Sequence, residues 1–220
     1  MAIVDEKLEE IKHKKQLQNE RKVIDAILNR NLDKLKYLHS DGFDFSQPFS
    51  MKKQQSHPLA LAALSSDEVF AYVLEHTDPK VVKEATIDTY DNPIPTMHWL
   101  ARYNHASKIE ILLNSGAVDI EAKDHIGYTA VADAVANKAW DAASLLIERG
   151  ANITNEIDGT TVRDVLIQKD RKDLLKSAPK EDKAVELPIG TKGKFKEKTG
   201  NFQSSVIETV MMLEKVFKNK

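Results

Sequence analysis

Seven histidines, 34 acidic residues and no cysteine define the side chains with which this 220-residue chain could do chemistry. The lack of cysteine removes thiol nucleophiles, disulfide frameworks and thiolate zinc sites together. No histidine stands in a His-x-x-x-His or Glu-containing pattern that would put two metal ligands on one helical face, so no metal site is expected. Serine or threonine nucleophiles need a base and a strained elbow, and no Gly-x-Ser-x-Gly occurs. Gly190-Thr-Lys-Gly193-Lys has the residue types of a phosphate loop but lacks the preceding strand and the spacing. Asp88 and Asp91 lie close in sequence and read as solvated or capping acids of a turn. The expectation is no enzyme and no cofactor.

One stretch invites a nucleic-acid reading. Lys192, Lys194, Lys196 and Lys198 alternate, with Phe195 and Phe202 nearby, in the manner of a groove that tracks phosphates and stacks bases. Residues 178–220 carry a net charge of only +3, however, too weak to prefer nucleic acid, and an exposed edge kept soluble by lysine explains the pattern better. Nucleic acid therefore stands as an alternative partner, behind protein. The whole chain has a net charge of −2, 41% hydrophobic residues and no apolar run of the roughly 20 residues that a spanning helix needs. A cytoplasmic protein without a membrane segment is expected, or one delivered into a host cytoplasm if the chain is microbial.

The elements that must position any site are announced by a 34-residue offset: Leu112, Leu113, Gly116, Ala117 and Asp124 return as Leu146, Ile147, Gly150, Ala151 and Asp158. A fixed period of this size marks stacked units that bury their apolar faces against one another. In the clearest unit, Asp124 to Thr129 reads as a turn, with Gly127 free to take positive φ and Thr129 able to cap. Ala130 to Ala136 then forms a short helix of small residues. Trp140 to Arg149 forms a second helix with Leu145, Leu146 and Ile147 as its stripe, stopped by Gly150.

These residues resemble the ankyrin repeat. Pro95-Thr96-Met97-His98 with Ile111-Leu112-Leu113-Asn-Ser-Gly116-Ala117 tracks that pattern in one unit, and Gly127-Tyr-Thr129-Ala130-Val131 with Leu145-Leu146-Ile147-Glu-Arg-Gly150-Ala151 in the next. Val118 reads as an inserted residue, and Pro95 stands where the family has its capping threonine. The resemblance extends to Ser56–Ala63 with Val69–Leu74, to Val23–Gly42 and to Asp158–Leu175. An unusually long connection runs from Asp78 to Tyr90, with an extra helical turn in Pro79 to Ala85. The fold expected is all-α, a solenoid of about five helix-turn-helix units over residues 21–178, with a solvated capping helix over 1–20. An irregular basic linker or hairpin over 179–203 and an amphipathic helix over 204–218 follow.

The resemblance implies that His98 is structural, its ring bonding turn backbone, and that partners meet the hairpin tips and the inner helices. Mapped onto this chain, those positions are Asn92, Ile94, Trp99, Arg102 and Tyr103 in one unit and His125, Ile126, Tyr128, Asp133 and Asn137 in the next. Lys53, Gln54 and Ser56 extend the same face. Trp99 fits a binding anchor and a packing role equally, while Trp140 reads as core. The function implied is capture of a specific protein, as adaptor or inhibitor. The alternative is self-association or groove docking through Val206, Val210, Leu213 and Phe217; folding back of that helix as a cap on the last unit is the competing explanation of its stripe.

Overall fold

Helices, most of them short and packed in pairs, make up more than half of the described residues, which in this computed structural model are 2–50, 57–89 and 92–178. The chain divides into two units, Met1–Glu186 and Leu187–Lys220. The second unit, the lysine-rich stretch, the stripe at Val206 to Phe217, and Lys53, Gln54 and Ser56 lie outside the described residues.

The first helix, α1 (Ala2–Leu28), runs without a break through the boundary expected at residue 20. No glycine or proline interrupts it, so nothing in the sequence could end it earlier. From Glu6 to Gln16 it is solvated, with Leu8 49% and Ile11 63% exposed, whereas Val23, Ile24, Ala26 and Ile27 are buried. The expected capping helix and the opening helix of the first pair are therefore one element. It pairs with α2 (Leu32–Ser40).

Three further pairs follow: α3 (Pro58–Ala63) with α4 (Asp67–Glu75), α6 (Thr96–Arg102) with α7 (Ala106–Asn114), and α8 (Ala130–Ala136) with α9 (Trp140–Glu148). The opening helices pack in succession, α1 on α3, α3 on α6, α6 on α8 and α8 on α10 (Val162–Gln168). Their partners do the same, α2 on α4, α4 on α7, α7 on α9 and α9 on the 3-10 turn Leu174–Lys176. Every residue of α3 is buried, as are Ala130 to Val135 of α8, because an element covered on both sides has no polar face to spare.

Backbone conformation recurs with the same spacing. Arg30, Asn104, Lys138 and Asp170 take positive φ just after α1, α6, α8 and α10, the last three separated by 34 and then 32 residues. In each case the next amide donates to the carbonyl five residues back, as His105 does to Leu100 and Ala139 to Ala134, closing a Schellman turn. Two of these four, Arg30 and Lys138, are residue types with no sequence signal for such a position. Gly150 fills the equivalent place after α9 at φ 95°, and Ala151 N donates to Leu146 O at 2.9 Å. The turn after α7 differs, and the inserted Val118 is its neighbour. There Ala117 N donates to Ser115 Oγ at 3.2 Å, and that hydroxyl in turn reaches Leu112 O.

The long connection contains α5 (Pro79–Glu84), as expected, and then a hairpin that was not, β1 (Thr86–Thr89) paired antiparallel with β2 (Asn92–Pro95). A second hairpin joins β3 (Glu156–Ile157) to β4 (Thr160–Thr161). The fold is thus mostly helical with a few short strands rather than purely helical. Pro93 and Pro95 alternate with Asn92 and Ile94, so one edge of β2 has no N–H to offer an incoming strand. No helix among the described residues is long and apolar enough to cross a membrane.

Candidate functional site

The segment from Lys123 to Thr129 is a tight hairpin that Asp124 holds together. Its Oδ1 accepts from Ile126 N at 3.0 Å and Tyr128 N at 2.9 Å, while Asp124 N donates to Tyr128 O. Gly127 takes φ 87° at the crown, as its type and place in the turn require. Thr129 stands at the N-cap of α8, but its side chain makes no cap hydrogen bond. The expected capping bond is absent; the fully buried Thr129 instead has its hydroxyl 3.5 Å from Asn155 Nδ2. In the next hairpin Thr161 does cap, accepting from Asp164 N at 3.1 Å.

Beneath the first hairpin lies a buried polar cluster. His98 Nδ1 meets Asp133 Oδ2 at 2.9 Å, and His98 Nε2 donates to Ala122 O at 3.1 Å. Arg102 donates to Asp133 Oδ1 from Nη2 at 2.6 Å and from Nε at 3.2 Å. His98, Asp124 and Asp133 are all buried, with candidate ligand atoms within 4.8 Å of one another, the arrangement from which a cation site is built. Arg102 already supplies the cation. Its Nη2 lies 3.8 Å from Asp124 Oδ2, so one guanidinium faces both carboxylates, and both histidine nitrogens are engaged. The cluster acts as a polar tie between α6, α8 and the hairpin. The expected backbone bond from His98 is present; the carboxylate on its other nitrogen was not anticipated, although 98 and 133 differ by close to one period.

Three of the sequence-derived surface residues are buried and cannot meet a partner as they stand. Trp99 is 3% exposed, stacked on His105 at 5.3 Å and against Tyr103 at 4.7 Å, because it lies mid-helix where neighbouring pairs close over it. Asp133, 1% exposed, belongs to the tie. Ile94 is paired with Ile87 across the hairpin and is buried with it. Asn92 opens β2, and Asn137 is exposed, with Nδ2 donating to Asp133 O at 2.8 Å. Arg102 is 21% exposed at its side chain. Tyr103 is half-buried, which raises its phenol above the usual tyrosine range. Trp140 is half-buried under the Arg171 guanidinium, 4.8 Å above its ring.

The remaining three converge at the tip. His125 is exposed, Ile126 is 49% exposed, and Tyr128 donates its hydroxyl to Asp158 Oδ1 at 2.5 Å, in the next hairpin. Burial, and then the bond to Asp158, push the Tyr128 phenol up to about 12. A groove of about 500 Å3 runs between the two hairpins, lined by Lys123, Ile126, Tyr128, Asn155, Glu156 and Asp158 among others. Asn155, one of the lining residues, is held by Glu121, which accepts from Asn155 Nδ2 at 2.9 Å and from Asn152 N at 2.6 Å. No family model matches the chain, and no curated protein matches it.

Proposed function

We propose that residues 21–178 form an ankyrin-type array that binds a protein partner through its hairpin tips, as an adaptor or an inhibitor. The reading is supported by the succession of packed helix pairs and by left-handed turns that recur after 34 and 32 residues. The single observation that carries the binding role is the pair of neighbouring tips at 124–128 and 156–161. There a large apolar side chain, Ile126, stands half in water on a hairpin whose every backbone turn is held in place. A preorganised surface loses little freedom on binding, which favours affinity. The polar tie under the tip is consistent with scaffolding and gives no reason to assign a reaction to it.

Affinity capture from the native cell with the full chain and with Ile126→Glu tests this reading. A protein recovered by the natural chain and lost with the variant, at equal melting temperature, supports it. Equal recovery by both overturns it.

A further inference from the structure

The groove between the two tips has walls of unlike charge. Lys123 lines it from one hairpin, and Glu156 and Asp158 line it from the other. Asp158 sits at φ 49° and Gly159 at φ 78°, the pair of positive φ values that a two-residue hairpin turn uses, so the backbone that carries its carboxylate is fixed. One oxygen of that carboxylate accepts from Tyr128, which holds the phenol ring as a wall of the groove. Gly127 and Gly159 line the rims, and a Cβ at either would meet nothing within 4 Å, so an incoming chain can come close to the backbone there.

We propose that this groove seats an arginine side chain carried by an extended segment of the partner protein. A guanidinium is planar, so it can lie on the Tyr128 ring while its N–H groups face the carboxylates of Glu156 and Asp158. Lys123 opposite repels a second cation and so orients the segment, and Ile126 beside the groove offers apolar contact to the residue next to the arginine. The charge pattern, two carboxylates facing one lysine, selects against an acidic segment. This inference rests on the protein-binding reading and narrows it to one chemistry.

The test is an amide-resolved NMR titration of the full chain with the blocked tetrapeptide Gly-Arg-Ile-Gly and with its counterpart bearing Glu in place of Arg. The arginine peptide is expected to move the amides of Gly127, Tyr128 and Gly159 with millimolar affinity, and the glutamate peptide to bind at least about fivefold more weakly. Glu156→Gln combined with Asp158→Asn keeps an acceptor for Tyr128 and is expected to weaken the arginine peptide by about five- to tenfold, as two exposed charge pairs allow. No movement of these amides, equal response to both peptides, or an unchanged response in the double variant overturns the proposal. If the captured partner still requires Ile126 in that event, only the arginine assignment is lost; if it does not, the tip-binding reading fails as well.

Discussion

His98 and Asp133 stand on the opening helices of successive pairs and meet at 2.9 Å, both almost completely buried. With Arg102 on the far oxygen, the pair ties α6 to α8, two helices that pack directly on each other. Asp133→Ala removes the common acceptor and leaves a buried ring nitrogen and a partly buried guanidinium without it. The expected cost is about 3–5 kcal/mol of unfolding free energy, read by urea titration, and Asp133→Asn should lose less. A loss under 1 kcal/mol would mean that the cluster relaxes freely and is no tie.

The left-handed residues that close the helices give a prediction of opposite sign at two positions. Arg30 takes φ 54° on an exposed turn, where a Cβ is strained, so Arg30→Gly should stabilise by roughly 0.5–1 kcal/mol. Gly150 has φ 95° with open space around it, so Gly150→Ala should destabilise by about 1 kcal/mol through backbone strain alone. Thermal melts of the two variants check both. Shifts of the same sign would contradict this account of the turns.

Burial lowers His57 below the ordinary histidine range, and its Nδ1 accepts from Leu59 N at the start of α3. His105, stacked under Trp99, is lowered by burial and then by the charge of Lys108. Each ring is therefore neutral when folded and takes a proton more readily when unfolded. Stability from these groups is full above the unfolded value of about 6.5 and falls as pH drops through it toward the folded values. The carboxylates held below their usual range, Asp44 and Asp67, act only at lower pH. The melting temperature should fall between pH 7.5 and 5.5, and His57→Asn, which keeps an acceptor for the cap, should reduce that fall. An identical pH response in the variant would contradict it.

Much of the helical plan was legible because it depends on local signals that repeat. Gly150 stops α9, Leu146 and Ile147 face inward, and the proline at 79 opens a short helix, all from residue type and spacing. The break expected near residue 20 failed because a change from charged to apolar composition alters which side of a helix is covered, not whether the helix continues. The β1–β2 hairpin was missed because its two prolines argue against a strand unless their blank N–H positions fall on one free edge. Asp133 and Ile94 were assigned to the surface from a positional pattern that left Trp99 open between binding and packing, but burial depends on which side chains neighbouring pairs contribute. Ile126 and Tyr128 were legible since a glycine crown fixes which residues reach the tip. The tie from Arg102 to Asp133 needed two helices one period apart to be read together.

Asn104 offers a sharper test of stacking between α6–α7 and α8–α9. Its Oδ1 accepts from Ala142 N at 2.9 Å and its Nδ2 donates to Asp141 at 2.9 Å, joining one turn to the next helix, while its own φ is 60°. Asn104→Gly keeps the backbone freedom and deletes only the bridge, with an expected loss of about 1 kcal/mol. Hydrogen exchange should then quicken at the first turn of α9 while α4 is unaffected. Unchanged protection at Ala142 would show that the bridge contributes nothing.

The central claim is that the tips, not the outer helices, meet the partner, and amide hydrogen exchange of the captured complex measures it most directly. The account predicts slowed exchange at Ile126, Gly127, Tyr128 and Gly159 upon binding, with α4, α7 and α9 unchanged. Protection confined to α4, α7 and α9, with the tips exchanging as in the free chain, would contradict it.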